Sequence, residues 1–400
     1  MKRRAFLRNG LMLGCSAAAS PLLTPVTFAS GPWEARLVVI ILRGALDGLD
    51  AIRPLGDANL AALRPGLTTD DSIDLDGFFG LHPGLAPMKP LWDAGDFGAM
   101  HAVSTPYRDK RSHFDGQDIL EAGLPDLPSG ARDGWLNRML QTVPGVQAQT
   151  SYAIGPEQML VLSGDAPTAR WAPRTSLRIT PQARRLLELV THDDPLFRDA
   201  TAQAVEITDQ LSLDADTDAA GAAAMAADPM MAQVGGGQHR QLAEFAAARL
   251  RGATRIASFS IGGWDTHQNQ ANALARNLGR LSDTILTLRS GLGDIWGQTA
   301  VLCMTEFGRT ARENGTKGTD HGTGGALLFA GGALRGGQVL GGWPGLGDDD
   351  LYAGRDLMPL ADVRAAAGWT MRGLFGLDRT TIETAIFPGL EMGIDPGIVA

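Results

Sequence analysis

Histidine and acidic residues cluster in the segment Gly-Gly-Trp-Asp-Thr-His-Gln-Asn at residues 262–269. Asp265 and His267 are two positions apart, and in an extended chain such residues point to the same side. A carboxylate and an imidazole that converge are suitable ligands for a divalent cation such as zinc. The alternative is an aspartate that caps a helix beside a hydrogen-bonded histidine, and the segment alone does not choose between the two.

A second group of these residue types lies further along the chain. Glu306 directly follows an apolar run at 299–305, and the pair Asp320 and His321 follows a loop rich in glycine and asparagine. Adjacent side chains reach one cation only where the backbone bends, and the glycines on both sides of the pair permit such a bend. We expect these residues to contribute to a metal site.

One further acid follows the first apolar run of the chain. Asp47 lies in the segment Arg-Gly-Ala-Leu-Asp-Gly-Leu-Asp at residues 43–50, where flanking glycines let the backbone turn sharply. For this segment alone, a simple turn with solvated carboxylates is the favoured interpretation. Presentation of Asp47 to a ligand is the alternative.

The segment 108–117 contains a serine hydroxyl at a position that suits catalysis. Ser112 is predicted to cap the following helix, with Asp115 three residues later as an imperfect capping box. A helix N-terminus also favours anions, and Arg111 adds a fork that fits phosphate or sulfate oxygens. A nearby metal would lower the hydroxyl pKa and make Ser112 a nucleophile. Capping alone and nucleophilic attack both remain open.

Apolar runs rich in β-branched residues precede several of these clusters, as is typical of strands in a parallel sheet. The predicted strands are 35–42, 97–103, 256–261, 299–305 and 326–330. The predicted helices are 112–122, 181–190, 238–251 and 272–288. This alternation indicates a doubly wound α/β fold, in which ligands bind beyond the carboxyl ends of the strands.

The segment 145–235 interrupts that alternation. It contains short β-like pieces at 152–154, 159–162 and 176–179, and then an Ala-, Asp- and Met-rich stretch at 214–237. We interpret the segment as an inserted cap region within an α/β domain at residues 30–400.

Composition excludes several classes of protein. The chain has 400 residues, of which 44% are hydrophobic and 20% charged, so it can build a large core and is not a disordered chain. Two cysteines exclude a disulfide scaffold. The net charge of −9 argues against general binding of nucleic acid, which requires clustered cations.

The N-terminus is similar to a twin-arginine export signal. Arg3 and Arg4 precede a weakly apolar stretch, and a small-residue cleavage motif ends at Ala29. We therefore expect residues 1–29 to be a signal peptide read by the twin-arginine export machinery, with a periplasmic or secreted product and no stable membrane span after cleavage. Alternatives are a retained amphipathic helix and a lipoprotein signal at Cys15.

Taken together, these segments resemble a bacterial family catalogued as domain of unknown function 1501 (DUF1501), which is related to the alkaline phosphatase and sulfatase superfamily. The segments that carry the resemblance are residues 42–49, 81–83, 111–114, 263–267, 306–310 and 320–322. The resemblance implies an alkaline phosphatase-like α/β fold, with a mostly parallel central sheet flanked by helices and two metal sites. It also implies a hydroxyl nucleophile at the start of a helix.

Residues of this chain match those positions individually. The matching metal ligands are Asp47, Asp265, His267, Glu306, Asp320 and His321. Ser112 matches the nucleophile. Two features depart from the pattern: Phe307 follows Glu306 where the superfamily usually has Asp-His, and the sulfatase pattern Cys-x-Pro-Ser-Arg is absent. The second departure argues against a formylglycine sulfatase.

The sequence thus predicts a periplasmic hydrolase that acts on a small anionic phosphate or sulfate ester. One or two divalent cations would assist, with zinc expected first and manganese or calcium as alternatives. The predicted catalytic residues are Ser112, Arg111, His113 and Arg309. Two alternatives are a non-catalytic envelope or binding protein that keeps the fold, and a metal-dependent isomerase.

Overall fold

Runs of aliphatic residues form the strands of a central sheet in the structure, which is a computed structural model. It describes residues 33–68, 71–108, 110–126, 133–172 and 237–400. The strands in these ranges are β1 Arg36–Arg43, β2 Ile52–Arg53, β3 Ile73–Asp74, β4 Gly80–Leu81, β5 Phe97–Ser104, β6 Ser151–Ile154, β7 Ala169–Trp171, β8 Ile256–Gly262, β9 Thr299–Met304, β10 Gly325–Ala330, β11 Val339–Leu340 and β12 Ala361–Asp362.

Helices separate several of these strands. The α-helices in the described ranges are α1 Gly48–Ala51, α2 Leu60–Leu63, α3 Lys89–Asp93, α4 His113–Ala122, α5 Trp135–Gln141, α6 Gln238–Leu250, α7 Gln270–Leu292, α8 Val363–Phe375 and α9 Arg379–Thr381. Short 3₁₀ helices cover Pro83–Met88, Ala148–Thr150, Leu160–Leu162 and Gly293–Gln298, and a π-helical turn covers Ile382–Ile386. The predicted helices 112–122, 238–251 and 272–288 are confirmed as α4, α6 and α7.

The larger sheet runs in the order β11-β5-β10-β9-β1-β8-β6-β7, with β12 also paired to β5. Strand β1 lies between β8 and β9 and is parallel to both, with Leu37 opposite Ile256 on one side and Ala300 on the other. Among the described strands of this sheet, only β10 runs antiparallel to its neighbours, β5 and β9. The predicted class, a mostly parallel sheet flanked by helices, is therefore confirmed.

The side chains of β1 alternate between two cores, as the two-residue period of a strand requires. Val38, Ile40 and Leu42 pack on one face with residues of α6 and α7. Leu37, Val39 and Ile41 pack on the other face with residues of α5 and α8. Because helices cover both faces of the sheet at β1, the sequence of this strand is one uninterrupted apolar run.

Part of the segment expected to form a cap belongs to the central sheet. Strands β6 and β7 continue the sheet beyond β8, and both pairings are parallel. The predicted strand at 159–162 is wrong, because Leu160–Leu162 forms a 3₁₀ helix. The predicted signal peptide, the predicted elements 176–179 and 181–190 and most of the stretch 214–237 lie outside the described residues.

The loops that matter for function meet at one edge of the sheet. The loop 44–47 follows β1, the loop 263–269 follows β8, and the loop 305–324 joins β9 to β10. Helix α4 begins at the same edge, since its Gly116 lies against Phe307 of that long loop. In the described part of the chain, we find no helix with the length and apolar character of a membrane span.

Candidate metal centre

Three side chains from distant parts of the sequence converge at this edge. They are His113, the first residue of α4; Asp265, in the loop after β8; and His321, in the loop before β10. One ligand atom from each lies within 4.8 Å of the others. The Nε2 atom of His113 is 3.4 Å from Oδ2 of Asp265, and Nε2 of His321 is 3.3 Å from its Oδ1.

His267 adds a third imidazole to this group. Its Nε2 lies 3.0 Å from Oδ1 of Asp265 and 2.9 Å from Nε2 of His321. The predicted convergence of residues 265 and 267 is thus present in the structure. We call His113, Asp265, His267 and His321 the histidine-aspartate cluster.

Each imidazole of the cluster is held in place through its other ring nitrogen. Nδ1 of His113 donates to Glu306 at 2.8 Å, and Nδ1 of His267 donates to Asp320 at 3.1 Å. Nδ1 of His321 donates to the main-chain carbonyl of Arg111 at 2.9 Å. Because Nδ1 is the atom held from behind, Nε2 of each ring is the atom available to a metal ion, which is the usual arrangement of histidines that bind zinc.

The donor set fits a divalent cation. Nε2 of His113 is buried and has no hydrogen-bond partner among the described residues. A buried polar atom without a partner is rare, and a bound ion is one explanation for it. Three imidazole nitrogens and one carboxylate form a donor set that suits zinc and other borderline cations.

Glu306 stands behind His113 instead of facing the cluster. Its Oε1 accepts hydrogen bonds from the Gly44 amide at 2.9 Å and from Gln117 Nε2 at 3.1 Å, besides that of His113. Burial favours a raised pKa for this carboxyl, but the bond from His113 and the other donors outweigh it and lower the pKa of Glu306. The result is an anion that orients His113.

Asp320 has the corresponding role for His267. Its Oδ1 also accepts a hydrogen bond from Asn314 Nδ2 at 3.1 Å, and this bond is the main cause that lowers the pKa of Asp320. The adjacent residues Asp320 and His321 therefore act at different positions. His321 points its Nε2 into the cluster, whereas Asp320 supports a ring from the neighbouring loop.

The structure does not bring Asp47 into the cluster. Its Oδ2 is 2.8 Å from the Arg64 guanidinium and 2.7 Å from Gln270 Nε2, and its Oδ1 accepts from the Asp50 amide as the N-cap of α1. Burial would raise the pKa of Asp47, but Arg64 and Gln270 outweigh burial and lower it. Asp47 is thus neutralised by a buried protein cation.

Arg309 ties the loops of the site together. Its Nε donates to the Ala45 carbonyl at 2.9 Å, and its Nη1 donates to the Thr319 carbonyl at 2.9 Å. Its Nη2 contacts Oδ1 of Asp265 at 2.6 Å. Since Arg309 is only 1% exposed, its guanidinium is directed to protein oxygens and positions the loops around the cluster.

The charge of Arg309 also acts on Asp265. Burial would raise the pKa of this carboxyl, but the hydrogen bond and the charge of Arg309 outweigh burial and lower it. The pKa values of the two half-buried imidazoles His113 and His321 shift in opposite directions. The hydrogen bond to Glu306 raises the pKa of His113, whereas burial lowers the pKa of His321.

Ser112 directly precedes His113 and caps α4. Its hydroxyl accepts from the Asp115 amide at 3.4 Å, so the predicted capping contact is present. Its own amide donates to the Tyr107 hydroxyl at 2.7 Å. Arg111 adopts a left-handed conformation with φ of 55°, which turns its carbonyl toward His321 while its side chain is exposed.

Sequence reasoning assigned no role to several other residues in and around the site. Gln117 lies one helical turn after His113, so the i,i+4 spacing could have identified it. Phe307 stacks on His113 with ring centroids 5.1 Å apart, and Tyr107 stacks on Phe307. No sequence pattern indicated a role for Arg64, because its partner Asp47 belongs to another element and the residues next to Arg64 form no recognisable motif.

Several solved structures are distantly similar to this chain. A protein of the alkaline phosphatase superfamily from Vibrio parahaemolyticus has 13% identity and a TM-score of 0.36, with 81% of this chain and 68% of that chain covered. A mutant of TAB5 alkaline phosphatase with bound Mg has 12% identity and a TM-score of 0.34, with 75% and 92% covered. The C-terminal periplasmic domain of EcEptC from Escherichia coli, in complex with Zn, has 9% identity and a TM-score of 0.33, with 76% and 74% covered.

Comparison at the level of sequence points to one family. No protein of curated function matches the chain significantly. The family model described as "Protein of unknown function (DUF1501)" matches residues 96–384, which is most of the chain, and the protein therefore belongs to this family.

Proposed function

We propose that the protein is a metal-dependent hydrolase of phosphate or sulfate esters. One observation carries the proposal: Nε2 of each of the three imidazoles lies within 3.4 Å of the Asp265 carboxylate, and each Nδ1 is hydrogen-bonded from behind. A cluster held in this way is preorganised for a cation. The four side chains and their supports would hold one zinc ion, with manganese and calcium as alternatives.

A divalent cation in such a site supplies a Lewis acid that polarises an ester oxygen and lowers the pKa of a neighbouring hydroxyl or water. The remaining steps belong to residues of the chain. Ser112, at the N-terminus of α4, is proposed as the nucleophile, and the exposed Arg111 side chain is proposed to bind the anionic oxygens. Arg309 keeps Asp265 in place and is a positioning residue.

The proposed reaction has two displacements. Oγ of Ser112 forms a bond to phosphorus or sulfur as the ester oxygen leaves, and the serine proton is transferred to the departing alcohol. Water then attacks the same centre, cleaves the bond to Oγ and returns a proton to the serine. The net reaction consumes one water and releases an alcohol with phosphate or sulfate.

Turnover of p-nitrophenyl phosphate and p-nitrophenyl sulfate by the zinc-loaded protein tests the proposal. We expect Ser112→Ala to lower kcat by at least about a hundredfold, because the attacking atom is lost. Ser290→Ala, at an exposed position near the end of α7, serves as the matched control and should keep full activity. Full turnover by Ser112→Ala would remove Ser112 from the mechanism.

One observation favours a second candidate, a metal-binding envelope protein without catalysis. Asp47, which would complete a second metal site, is instead paired with the buried Arg64. A protein of this kind binds zinc stoichiometrically and hydrolyses neither p-nitrophenyl ester. The same assay therefore separates the two candidates.

Export through the twin-arginine pathway is part of the proposal. Arg3 and Arg4 would form the pair that the export machinery reads, and residues 1–29 would be removed. Replacement of both arginines by lysine should retain the protein in the cytoplasm with its signal uncleaved. Fractionation followed by mass spectrometry of the N-terminus measures both effects. Unchanged export of the double variant would refute this route.

A further inference from the structure

A cavity lies beside the histidine-aspartate cluster, at the same edge of the central sheet. Its volume is about 310 Å³, and it is formed where β6 and β8 end and where α6 begins. The residues that give it chemical character are Glu157, Gln238, His239, Ser260 and Arg280. The volume is within the range of pockets that bind small molecules.

The polar groups of the cavity suit hydroxyl groups. The carboxylate of Glu157 accepts a hydrogen bond from Ser260 at 2.6 Å, and its side chain is 53% exposed, so lone pairs remain available. Arg280 and Gln238 supply donors from α7 and α6. These acceptors and donors together match the hydrogen-bonding groups of hydroxyls.

Gly262 marks a short path along the backbone from the cavity to the cluster. Gly262 lines the cavity, is the last residue of β8 and precedes the ligand Asp265 by three positions. A Cβ atom added at Gly262 would meet nothing within 4 Å. The cavity is therefore open at Gly262, the lining residue that leads along the chain to Asp265.

A chain of polar contacts also joins the two sites. It begins at Glu157, which is 2.9 Å from Nε of Arg43, and Arg43 donates to Gln117 at 2.7 Å. Gln117 then donates to Glu306, which holds His113. The wall of the cavity and a side chain of the cluster thus belong to one connected network.

We propose that this cavity is a subsite for the alcohol part of the ester, and that this part is a sugar or another polyol. The proposal rests on the proposed hydrolase function. The phosphate or sulfate group lies at the histidine-aspartate cluster, and the hydroxyl-bearing part extends over Gly262 toward Glu157. Hydroxyl groups suit this position because they can donate to the carboxylate of Glu157 and accept from Arg280 and Gln238.

Gly262→Val tests the subsite with little risk to folding. The glycine has an ordinary extended backbone, valine is favoured in strands, and its side chain would enter open space on the path. Gly297→Val is the matched control, because a Cβ atom there also meets nothing within 4 Å and the residue lies in the 3₁₀ helix before β9, at the opposite edge of the sheet. Binding of glucose 6-phosphate, glucose 6-sulfate and inorganic phosphate to the zinc-loaded protein is measured by calorimetry, and turnover of p-nitrophenyl phosphate is measured in parallel.

The expected result is that Gly262→Val weakens binding of a glucose ester by at least about tenfold, while Gly297→Val changes it by less than about twofold. Binding of inorganic phosphate, which has no alcohol part to pass over Gly262, should remain within about twofold in both variants. The proposal is overturned if the wild-type protein binds neither glucose ester, or if Gly262→Val binds them as the wild type does. Hydrolysis of p-nitrophenyl phosphate in that situation would leave the hydrolase function intact.

Discussion

Each of the three histidines in the cluster uses one ring nitrogen to hold its position and leaves the other free. The supporting acceptors are two carboxylates and one carbonyl, from Glu306, Asp320 and Arg111. Such supporting groups fix the tautomer and raise the basicity of the ligand, so their loss weakens metal binding even though they do not touch the ion.

At the residue scale we therefore predict that Glu306→Gln lowers zinc affinity by about 10- to 100-fold. The variant keeps the size of the side chain and removes the charge behind His113. Competition with a chromogenic chelator measures the affinity. Asp96→Asn is the control, because Asp96 accepts from Trp296 Nε1 at 3.0 Å and contacts no residue of the cluster. An unchanged affinity in Glu306→Gln would show that His113 needs no anionic support.

The sequence identified most of these residues but not their directions. The spacing of Asp265 and His267 correctly predicted a shared side, because a two-residue period is a local property of the backbone. Glu306 and Asp320 lie behind the histidines of the cluster instead of facing into it. This placement depends on how separate loops meet, which no local sequence pattern encodes. The pairing of Asp47 with Arg64 likewise arises from contact between α1 and the region after α2.

At the scale of elements, close backbone contacts fix the position of the loop that contains Gly318 against the loop that contains His267. A Cβ atom at Gly318 would lie 2.3 Å from the main-chain carbon of His267, so even alanine would push the two loops apart. At Gly315, in the same loop, a Cβ atom would meet nothing within 4 Å.

We predict that Gly318→Ala lowers zinc affinity by about tenfold or more through displacement of His267, whereas Gly315→Ala leaves it unchanged. Chelator competition on both variants, with thermal unfolding of the metal-free forms alongside, makes the comparison. Equal affinities for the two variants would mean that the loop tolerates the displacement.

Strand β5 carries a buried histidine remote from the cluster. His101 donates through Nε2 to the Ile52 carbonyl at 2.7 Å, and burial lowers its pKa to about 4. The unfolded chain binds a proton near the ordinary value of about 6.5, whereas the folded protein does not bind it until the pH reaches the lower value. The unfolded state is therefore favoured increasingly as the pH falls through this window.

We expect the unfolding free energy of the wild type to fall between about pH 7.5 and 4.5. The fall should be larger than that of His101→Gln by roughly 2 kcal/mol. Glutamine keeps a donor for the Ile52 carbonyl but does not titrate. Denaturant titrations at the two pH values measure the difference. If the unfolding free energy of both proteins depended on pH in the same way, the lowered pKa of His101 would be contradicted.

Elements with a strong local pattern were predicted well. The β-branched run of β1 and the alternation of strands and helices gave the class of fold. The antiparallel direction of β10 was not predictable, because an apolar strand buried on both faces has the same composition in either direction. The error at residues 159–162 has a similar cause, since a short apolar run fits a strand or a buried helical turn equally well.

At the scale of the whole molecule, a ligand that binds only the folded state stabilises it by mass action. We predict that zinc at a hundredfold excess over its dissociation constant adds about 2.7 kcal/mol to the unfolding free energy. Asp265→Ala should abolish this increment. Denaturant titrations with zinc and with a chelator measure it. An equal increment in Asp265→Ala would place the ion elsewhere.

Arg309 contacts Gly44, which is 265 residues away in the sequence, and also contacts Asp265 and Thr319. These contacts are made by a guanidinium that belongs to the chain and cannot dissociate. The framework of the cluster would therefore persist after removal of a bound ion, and exchange of one cation for another would require no unfolding. The cation would be captured late, by a finished protein, and the identity of the occupant would be set by which metal is abundant where the folded chain resides.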